Sequence, residues 1–358
     1  MNRLQAKLEK IGSDPKLTAK AVGLRYAANS VGGYSRKASG KNFKYFDADG
    51  ELVTDKELLE RFRTLVLPPA WQDVWISKYE NSHLQATGID SKGRKQYRYH
   101  PHWNKMRNQS KFYRLRSFAL ALPKIREQVD KDLSRKDLCY EKVIALVIRL
   151  MEDTNIRIGN DAYKKLYGSF GLTTLRDKHV QIENSTVTFE FIGKKGVKHQ
   201  IDLKSRKLAN LVKKCKDIPG YDLFQYYDKD GSHHTISSTD VNNYLKQITE
   251  LDFTAKDFRA WSGTKHALSL FRNIGEFETK TDFNRKVIEV IDSVSSKLGN
   301  TRSVCKKYYV HPSVIASYES GSIAKYTEEC IEKSNGLEMD EELLLHLLEN
   351  EKIAEALV

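Results

Sequence analysis

The pattern of apolar residues changes near Asn104, from short strand-like pieces before it to helical spacing after it, and this change most narrows the fold. Before it, Asn42 to Phe46, Val74 to Tyr79 and Gln96 to Tyr99 read as strands, with a turn at Asp47-Ala48-Asp49-Gly50. A helix is expected at Asp55 to Thr64, stopped before Pro68-Pro69. After it, Val143, Ile144, Val147, Ile148 and Met151 lie on one helical face, which predicts an amphipathic helix from Tyr140 to Glu152. A β interlude follows: Val180-Ile182 and Val187-Ile192 alternate, Gly193-Lys194-Lys195-Gly196 turns, and His199 to Leu203 returns. Helices are then expected at Arg206 to Lys216, after the cap candidates Ser238 and Thr239, and at Lys256 to Arg272, Asp282 to Leu298 and Arg302 to Tyr309. Gly299 should close the penultimate one. The class is α+β: a small mainly-β N-terminal domain (1–104), a larger mainly-α domain with a β-hairpin or short sheet (105–327), and an acidic tail (328–358).

Charge divides the chain differently. Residues 328–358 hold ten acidic side chains against two lysines, a balance of −8, so the first 327 residues carry +21 of the net +13. So basic a body suits a polyanion, and nucleic acid is the usual one. The tail is leucine-rich as well as acidic, with Leu343, Leu344, Leu345, Leu347 and Leu348. It is expected to be helical and to pack on the body or on a protein partner. No apolar run approaches the roughly 20 residues that span a bilayer. Met1 to Lys20 is charged and lacks the apolar stretch of a signal peptide. The expected location is cytosolic or nucleoid, or nuclear or virion, and not secreted. Cys139, Cys215, Cys305 and Cys330 are widely spaced with no C-x-x-C pair, so neither a zinc site nor a disulfide framework is expected. His100 and His102, which flank Pro101, have no Cys or carboxylate nearby to complete a metal set, and His233-His234 reads as surface in a Gly-Ser turn.

Phosphodiester cleavage without a metal needs a nucleophile, cationic donors for the phosphoryl oxygens, and an acid for the leaving oxygen. Arginine suits the second role because its planar fork contacts two oxygens and keeps its charge. Lysine suits the third because burial and neighbouring cations lower its pKa. The chain offers these types in the order Arg157, Lys194, Arg259, Tyr309. Singly each reads as an ordinary surface residue.

Their contexts resemble the type IB DNA topoisomerase family, of the small poxvirus and bacterial form. The match is carried by R-x-G at Arg157, G-K at Lys194, K-D-x-R ending at Arg259, and G-x-T…K-x-x-Y ending at Tyr309. The longest match is Asp90-Ser91-Lys92-Gly93-Arg94-Lys95-Gln96-Tyr97-Arg98-Tyr99, which resembles the D-S-K-G-R-x-Q-Y-x-Y stretch of the poxvirus-like enzymes. The resemblance covers roughly residues 30 to 325.

It implies a tyrosine recombinase/topoisomerase IB-like fold, in which two domains close on duplex DNA as a C-shaped, monomeric clamp. It implies relaxation of supercoils through a 3′-phosphotyrosyl intermediate, with neither ATP, cofactor nor metal. Tyr309 would be the nucleophile. Arg157 and Arg259 would hold the non-bridging oxygens, and Lys194 would protonate the leaving 5′ oxygen with Lys256 as a second contributor. Asn300 stands where many members have a histidine. An amide N–H makes the same neutral hydrogen bond without charge. Tyr308 is the rival nucleophile, about 100° away if both lie on one helix. Lys92, Arg94, Gln96, Tyr97, Tyr99 and Tyr163 would contact DNA: the cations and phenols at phosphates, Gln96 at an adenine edge. Asn160 replaces a family lysine. Two rival readings remain: a tyrosine recombinase, which usually shows H-x-x-R where this chain has Lys256-Asp257-Phe258-Arg259, and a non-catalytic basic DNA-binding protein.

Overall fold

The computed structural model describes residues 14–27, 32–40, 42–329 and 336–350, without the side chains of 108–111, 113, 328, 329 and 350. Cys330 and the tail beyond 350 lie outside them. The chain divides into two compact units, Met1–Arg114 and Leu115–Val358. The division falls inside a long helix, α3 (Pro101–Leu133), as does the junction expected at residue 104.

In the first unit, α1 (Pro15–Ala21) precedes β1 (Gly33–Ser39), β2 (Asn42–Phe46), α2 (Lys56–Thr64), β3 (Gln72–Ser77), β4 (Leu84–Ile89) and β5 (Lys95–Tyr99). The strands form one antiparallel sheet in the order β2-β1-β3-β4-β5. Asp55 starts α2 by accepting hydrogen bonds from the Glu57 and Leu58 amides at 2.8 and 3.1 Å. The helix buries Phe62 against Val74, Ile76 and Ala86 of the sheet. β1 and β4 were not foreseen. From Leu84 to Gly88 every residue of β4 is buried, so it lacks the alternation that marks a half-exposed strand. Lys92 and Arg94 do not alternate along a strand as expected. They occupy a turn organised by Asp90, whose carboxylate accepts from the Lys92 and Arg94 amides, from Arg94 Nε at 2.7 Å and from Gln96 Nε2 at 2.8 Å. The strand proper begins at Lys95, and Tyr97 and Tyr99 stack on its one face with centroids 6.0 Å apart.

The second unit is mainly helical. After α3 come α4 (Tyr140–Thr154), α5 (Asp161–Tyr167), strands β6 (Val180–Glu183), β7 (Thr186–Ile192) and β8 (Lys198–Lys204), and α6 (Arg206–Lys216). A short hairpin of β9 (Gln225–Tyr227) and β10 (His233–Thr235) precedes α7 (Ser238–Thr249), α8 (Ala255–Asn273), α9 (Lys280–Leu298), α10 (Arg302–Tyr308), α11 (Pro312–Glu319), α12 (Ser322–Glu329) and α13 (Met339–Asn350). β6, β7 and β8 form an antiparallel sheet whose last two strands are the expected hairpin.

Helix ends follow side-chain chemistry closely. The cap of α7 is Ser237, one residue before the expected pair, in a reciprocal box with Asp240. Gly299 ends α9 in the left-handed region at φ 58°, as its type predicts. His233 and His234 sit in β10 rather than in a turn, exposed, with His234 Nε2 2.7 Å from Asp228. His100 Nδ1 accepts from the His102 amide at the start of α3. Among the described residues no cluster of three or more His, Cys, Asp or Glu could hold a metal ion, and no helix is long and apolar enough to cross a membrane.

The acidic segment forms α13, with Leu343, Leu344, Leu345, Leu347 and Leu348 all buried. Its carboxylates meet cations of the same unit: Asp340 with Arg272 at 2.9 Å, Glu338 with Lys265 at 2.8 Å and Glu349 with Arg116 at 2.7 Å.

Candidate active site

Three helix ends converge in the second unit. The first is the C-terminus of α4. Asn155 caps it in the left-handed region at φ 58°, which turns the chain and carries Ile156 into the core and Arg157 to the rim. The second is the start of α8, where Thr254 and Asp257 cap each other reciprocally and one turn later Arg259 points inward, 5% exposed. The third is the exit of α9, where the turn at Gly299 leaves carbonyls without helical partners.

Both arginines use those carbonyls. Arg259 donates Nη2 to the Leu298 carbonyl at 2.6 Å and Nη1 to the Asn155 carbonyl. Arg157 donates Nη2 to the Gly299 carbonyl at 2.9 Å and to Asn300 Oδ1 at 2.5 Å. The negative end of α9 thus holds two guanidinium groups together. Burial lowers the pKa of Arg157. Burial, then the charge of Arg157, bring Arg259 down to about 10, so Arg259 stays cationic at neutral pH. Among the described residues neither has a carboxylate partner, and the buried Arg259 Nε and Asn300 Nδ2 make no hydrogen bond. The approach of Asn300 to the Cys305 thiol falls short of hydrogen-bond geometry. Two cations plus two unused buried donors form a place for an anion with several oxygens.

Tyr309 stands beside them. It lies just past the end of α10 at φ −132°, ψ −6°, not within the helix as expected, so its direction is set by what it packs on. Its ring centroid is 5.4 Å from the guanidinium carbon of Arg259. Its carbonyl accepts from Thr264 Oγ1 at 3.1 Å. A Cβ on Gly263 would come within 2.7 Å of that carbonyl and 3.2 Å of the Tyr309 Cβ, so only glycine lets α8 approach this closely. Tyr308, the rival, has the Lys307 ammonium 5.4 Å from its ring centroid.

The structure thus brings Arg157, Arg259, Asn300 and Tyr309 together. Lys194 is exposed at the tip between β7 and β8, where Lys195 adopts φ 65°. Lys256 is exposed in the first turn of α8. Neither makes a side-chain contact with the other four. Tyr163 is 46% exposed on α5, whose cap is Asn160, accepting from the Tyr163 amide at 3.2 Å. That cap gives the asparagine a structural reason to stand where a lysine was expected.

One site residue escaped the sequence reading. His199, at the start of β8, is wedged between Gly193 and Gly299, where a Cβ would lie 2.6 Å and 2.4 Å from its ring. Its ring stacks on Phe191 at 5.1 Å, and it lines a small cleft with Arg157, Phe191, Gly193 and Leu298. Burial, then the charges of Arg157 and Arg259, lower its pKa and keep it neutral at pH 7. It connects the base of the Lys194 turn to the Gly299-Asn300 corner. Nothing in the spacing of His199 could reveal this, because both glycines reach it through the fold.

Residues 95–335 match the family model described as the catalytic core of eukaryotic DNA topoisomerase I, and residues 42–90 match that of the N-terminal domain of bacterial DNA topoisomerase IB. DNA topoisomerase 1B of Acanthamoeba polyphaga mimivirus is 33% identical over 298 residues, covering 80% of this chain and 88% of that protein. DNA topoisomerase 1B of vaccinia virus (strain Copenhagen) is 24% identical over 293 residues, covering 75% and 88%. A solved XerH site-specific recombinase bound to its difH substrate aligns over 57% of this chain and 51% of that chain, with a TM-score of 0.37 and 17% identity.

Proposed function

We propose, from the premise that this chain belongs to the type IB DNA topoisomerase family and is a topoisomerase of that type, that it relaxes duplex DNA through a covalent link at Tyr309. The Tyr309 phenol gives up its proton to solvent water and attacks the scissile phosphorus in line with the 5′ oxygen. A 3′-phosphotyrosyl bond forms as the P–O5′ bond breaks. One phosphodiester replaces another, so religation is the same step reversed, with no ATP consumed and no cofactor or metal required. Supercoiling torque rotates the free end between the two steps.

Arg157 and Arg259 donate to the non-bridging oxygens as negative charge develops there. Asn300 Nδ2 adds a neutral donor. Lys194 gives its proton to the departing 5′ oxygen, and Lys256 assists; in the free protein both are exposed, and the proposal has DNA bring them in. In the first unit, Lys92, Arg94, Tyr97 and Tyr99 hold the backbone, and Gln96, whose amide Asp90 orients, reads a base edge. Tyr163 holds the backbone from the second unit. The protein acts as a monomer.

The observation that carries this reading is the pair of guanidinium groups on one helix end, without carboxylate partners among the described residues, beside the Tyr309 ring. The test is relaxation of supercoiled plasmid in EDTA without ATP or partner sites. The account expects relaxation, with loss of all of it in Tyr309→Phe while duplex binding survives. A Tyr309→Phe protein that relaxes plasmid normally removes the nucleophile from the proposal.

A further inference from the structure

The last described helix, α13, sends one fully buried carboxylate, Glu341, among residues of α3 and α8. Glu341 is 0% exposed. Its carboxylate accepts from Arg126 Nη1 at 2.8 Å and Nη2 at 2.9 Å, from Trp261 Nε1 at 3.2 Å and from Lys265 Nζ at 3.1 Å. The Glu338 amide adds a further bond at 3.1 Å. Burial alone would raise its pKa, but the hydrogen bonds and charge of Arg126 hold it down to about 2, so it is an anion at every working pH.

Two partners of Glu341 lie on the helix that carries Arg259, and the third, Arg126, bonds to the helix that leads into Arg157. Trp261 and Lys265 follow Arg259 on α8. Arg126, on α3, also donates Nε at 2.8 Å to Glu152, in the last turn of α4. That turn leads into Asn155, whose carbonyl holds Arg259, and then into Arg157. Arg126, Asp153, Asn155, Trp261, Lys265, Lys297 and Glu341 line one cleft behind the site. Glu341, through Arg126 and Glu152, therefore ties α8 to the last turn of α4, the two helices that lead to Arg259 and Arg157.

We infer that Glu341 is a positioning residue for the cleavage reaction: through Arg126 and Trp261 it sets the spacing of Arg157 and Arg259, so the acidic helix is a working part of the catalytic unit. The inference rests on the proposed roles of those arginines. Local misplacement of such groups is costly in rate, because donors must meet the transition-state oxygens at fixed positions.

The test uses the full chain and a short duplex taken from one of its own mapped cleavage sites. Single-turnover formation of the denaturant-resistant protein–DNA complex, its religation, and duplex affinity are measured for wild type, Tyr309→Phe, Glu341→Gln and Glu152→Gln. Glu341→Gln keeps the shape and loses the charge. It should slow cleavage and religation by a common factor of about ten, with unchanged affinity and unchanged fraction of molecules that react. Glu152→Gln cuts only the link to α4 and should slow both by about threefold, which decides the matter if Glu341→Gln does not fold. Wild-type rate constants in Glu152→Gln and any folded Glu341→Gln overturn the inference. So does a loss confined to the reacting fraction, since that is what a merely destabilised protein shows. A covalent complex in Tyr309→Phe would instead sink the underlying assignment of the nucleophile.

Discussion

Arg259 and Lys265 stand on the same helix, and their charges are met in opposite ways. Lys265 and its neighbour Arg126 share a buried carboxylate, Glu341; burial opposes their charge, but Glu338 and then Glu341 raise the pKa of Lys265, and Glu341 and then Glu152 that of Arg126. Arg259 and its neighbour Arg157 face carbonyl oxygens, Tyr309 and each other, and burial lowers both pKa values. The first cluster has its charge balanced inside the protein. The second keeps an unbalanced pair of cations at the place where Tyr309 arrives. The difference teaches which buried charge serves the fold and which waits for a ligand: a group whose donors remain unused is held ready for something outside the chain.

Removing one member from each cluster tests this most strongly. Arg259→Met should lower the single-turnover cleavage rate by about 10²–10³, the usual effect of deleting one transition-state donor. Its stability should fall less than that of Arg126→Ala, because two hydrogen bonds to carbonyls are lost but no ion pair. Arg126→Ala should do the reverse to the fold: it takes the bidentate partner from buried Glu341 and leaves Lys265 as its cation, at a cost on the order of 3–5 kcal/mol by chemical denaturation. If Arg259→Met unfolds more readily than Arg126→Ala, the contrast between a functional and a structural cation fails.

Gly263→Ala sharpens the comparison at the proposed nucleophile. The new methyl would meet the Tyr309 carbonyl at 2.7 Å, so either α8 or the Tyr309 segment must shift. Overpacking of this kind costs about 1–3 kcal/mol, and cleavage should slow more than duplex binding weakens. Equal rates in wild type and Gly263→Ala would mean that the Tyr309 backbone is not held by this contact.

The smallest effect is on pH. Burial brings His311, which caps α11 and accepts from the Ser313 amide at 3.2 Å, down to about 3. The unfolded chain takes up a proton near pH 6.5 that the folded one refuses. The stabilisation from neutral His311 is therefore complete above pH 6.5 and is lost as pH falls toward 3. His266, brought down to about 4 by burial and then by Lys297, acts in the same direction. Melting temperature should fall between pH 7 and pH 4, and His311→Asn, which can still cap the helix, should flatten that slope. An unchanged slope would remove His311 from the account.

How much of this was legible in the sequence differs between the same two regions. α6 matches its expected range residue for residue, and Gly299 announced the end of α9, because amphipathic spacing and caps are local signals. The sequence also offers Arg157, Lys194, Arg259 and Tyr309 in order, as a resemblance of short motifs, and the fold brings three of them together but leaves Lys194 exposed at its turn. What holds those residues was not. Glu341 reads as one acid among ten, and only the fold buries it beneath Arg126. His199 reads as an ordinary strand residue until Gly193 and Gly299 close on it. Tyr309 was placed on a helix, but α10 ends one residue earlier, and the contact of Gly263 with its carbonyl belongs to packing between elements far apart in the chain.

The most direct measurement is to locate the bond to DNA. A duplex cleaved under denaturing quench, then digested with protease, should yield one peptide joined to a 3′ phosphate through Tyr309. A nucleotide on Tyr308, a link to a 5′ end, or no adduct at all would contradict the assignment on which the site depends.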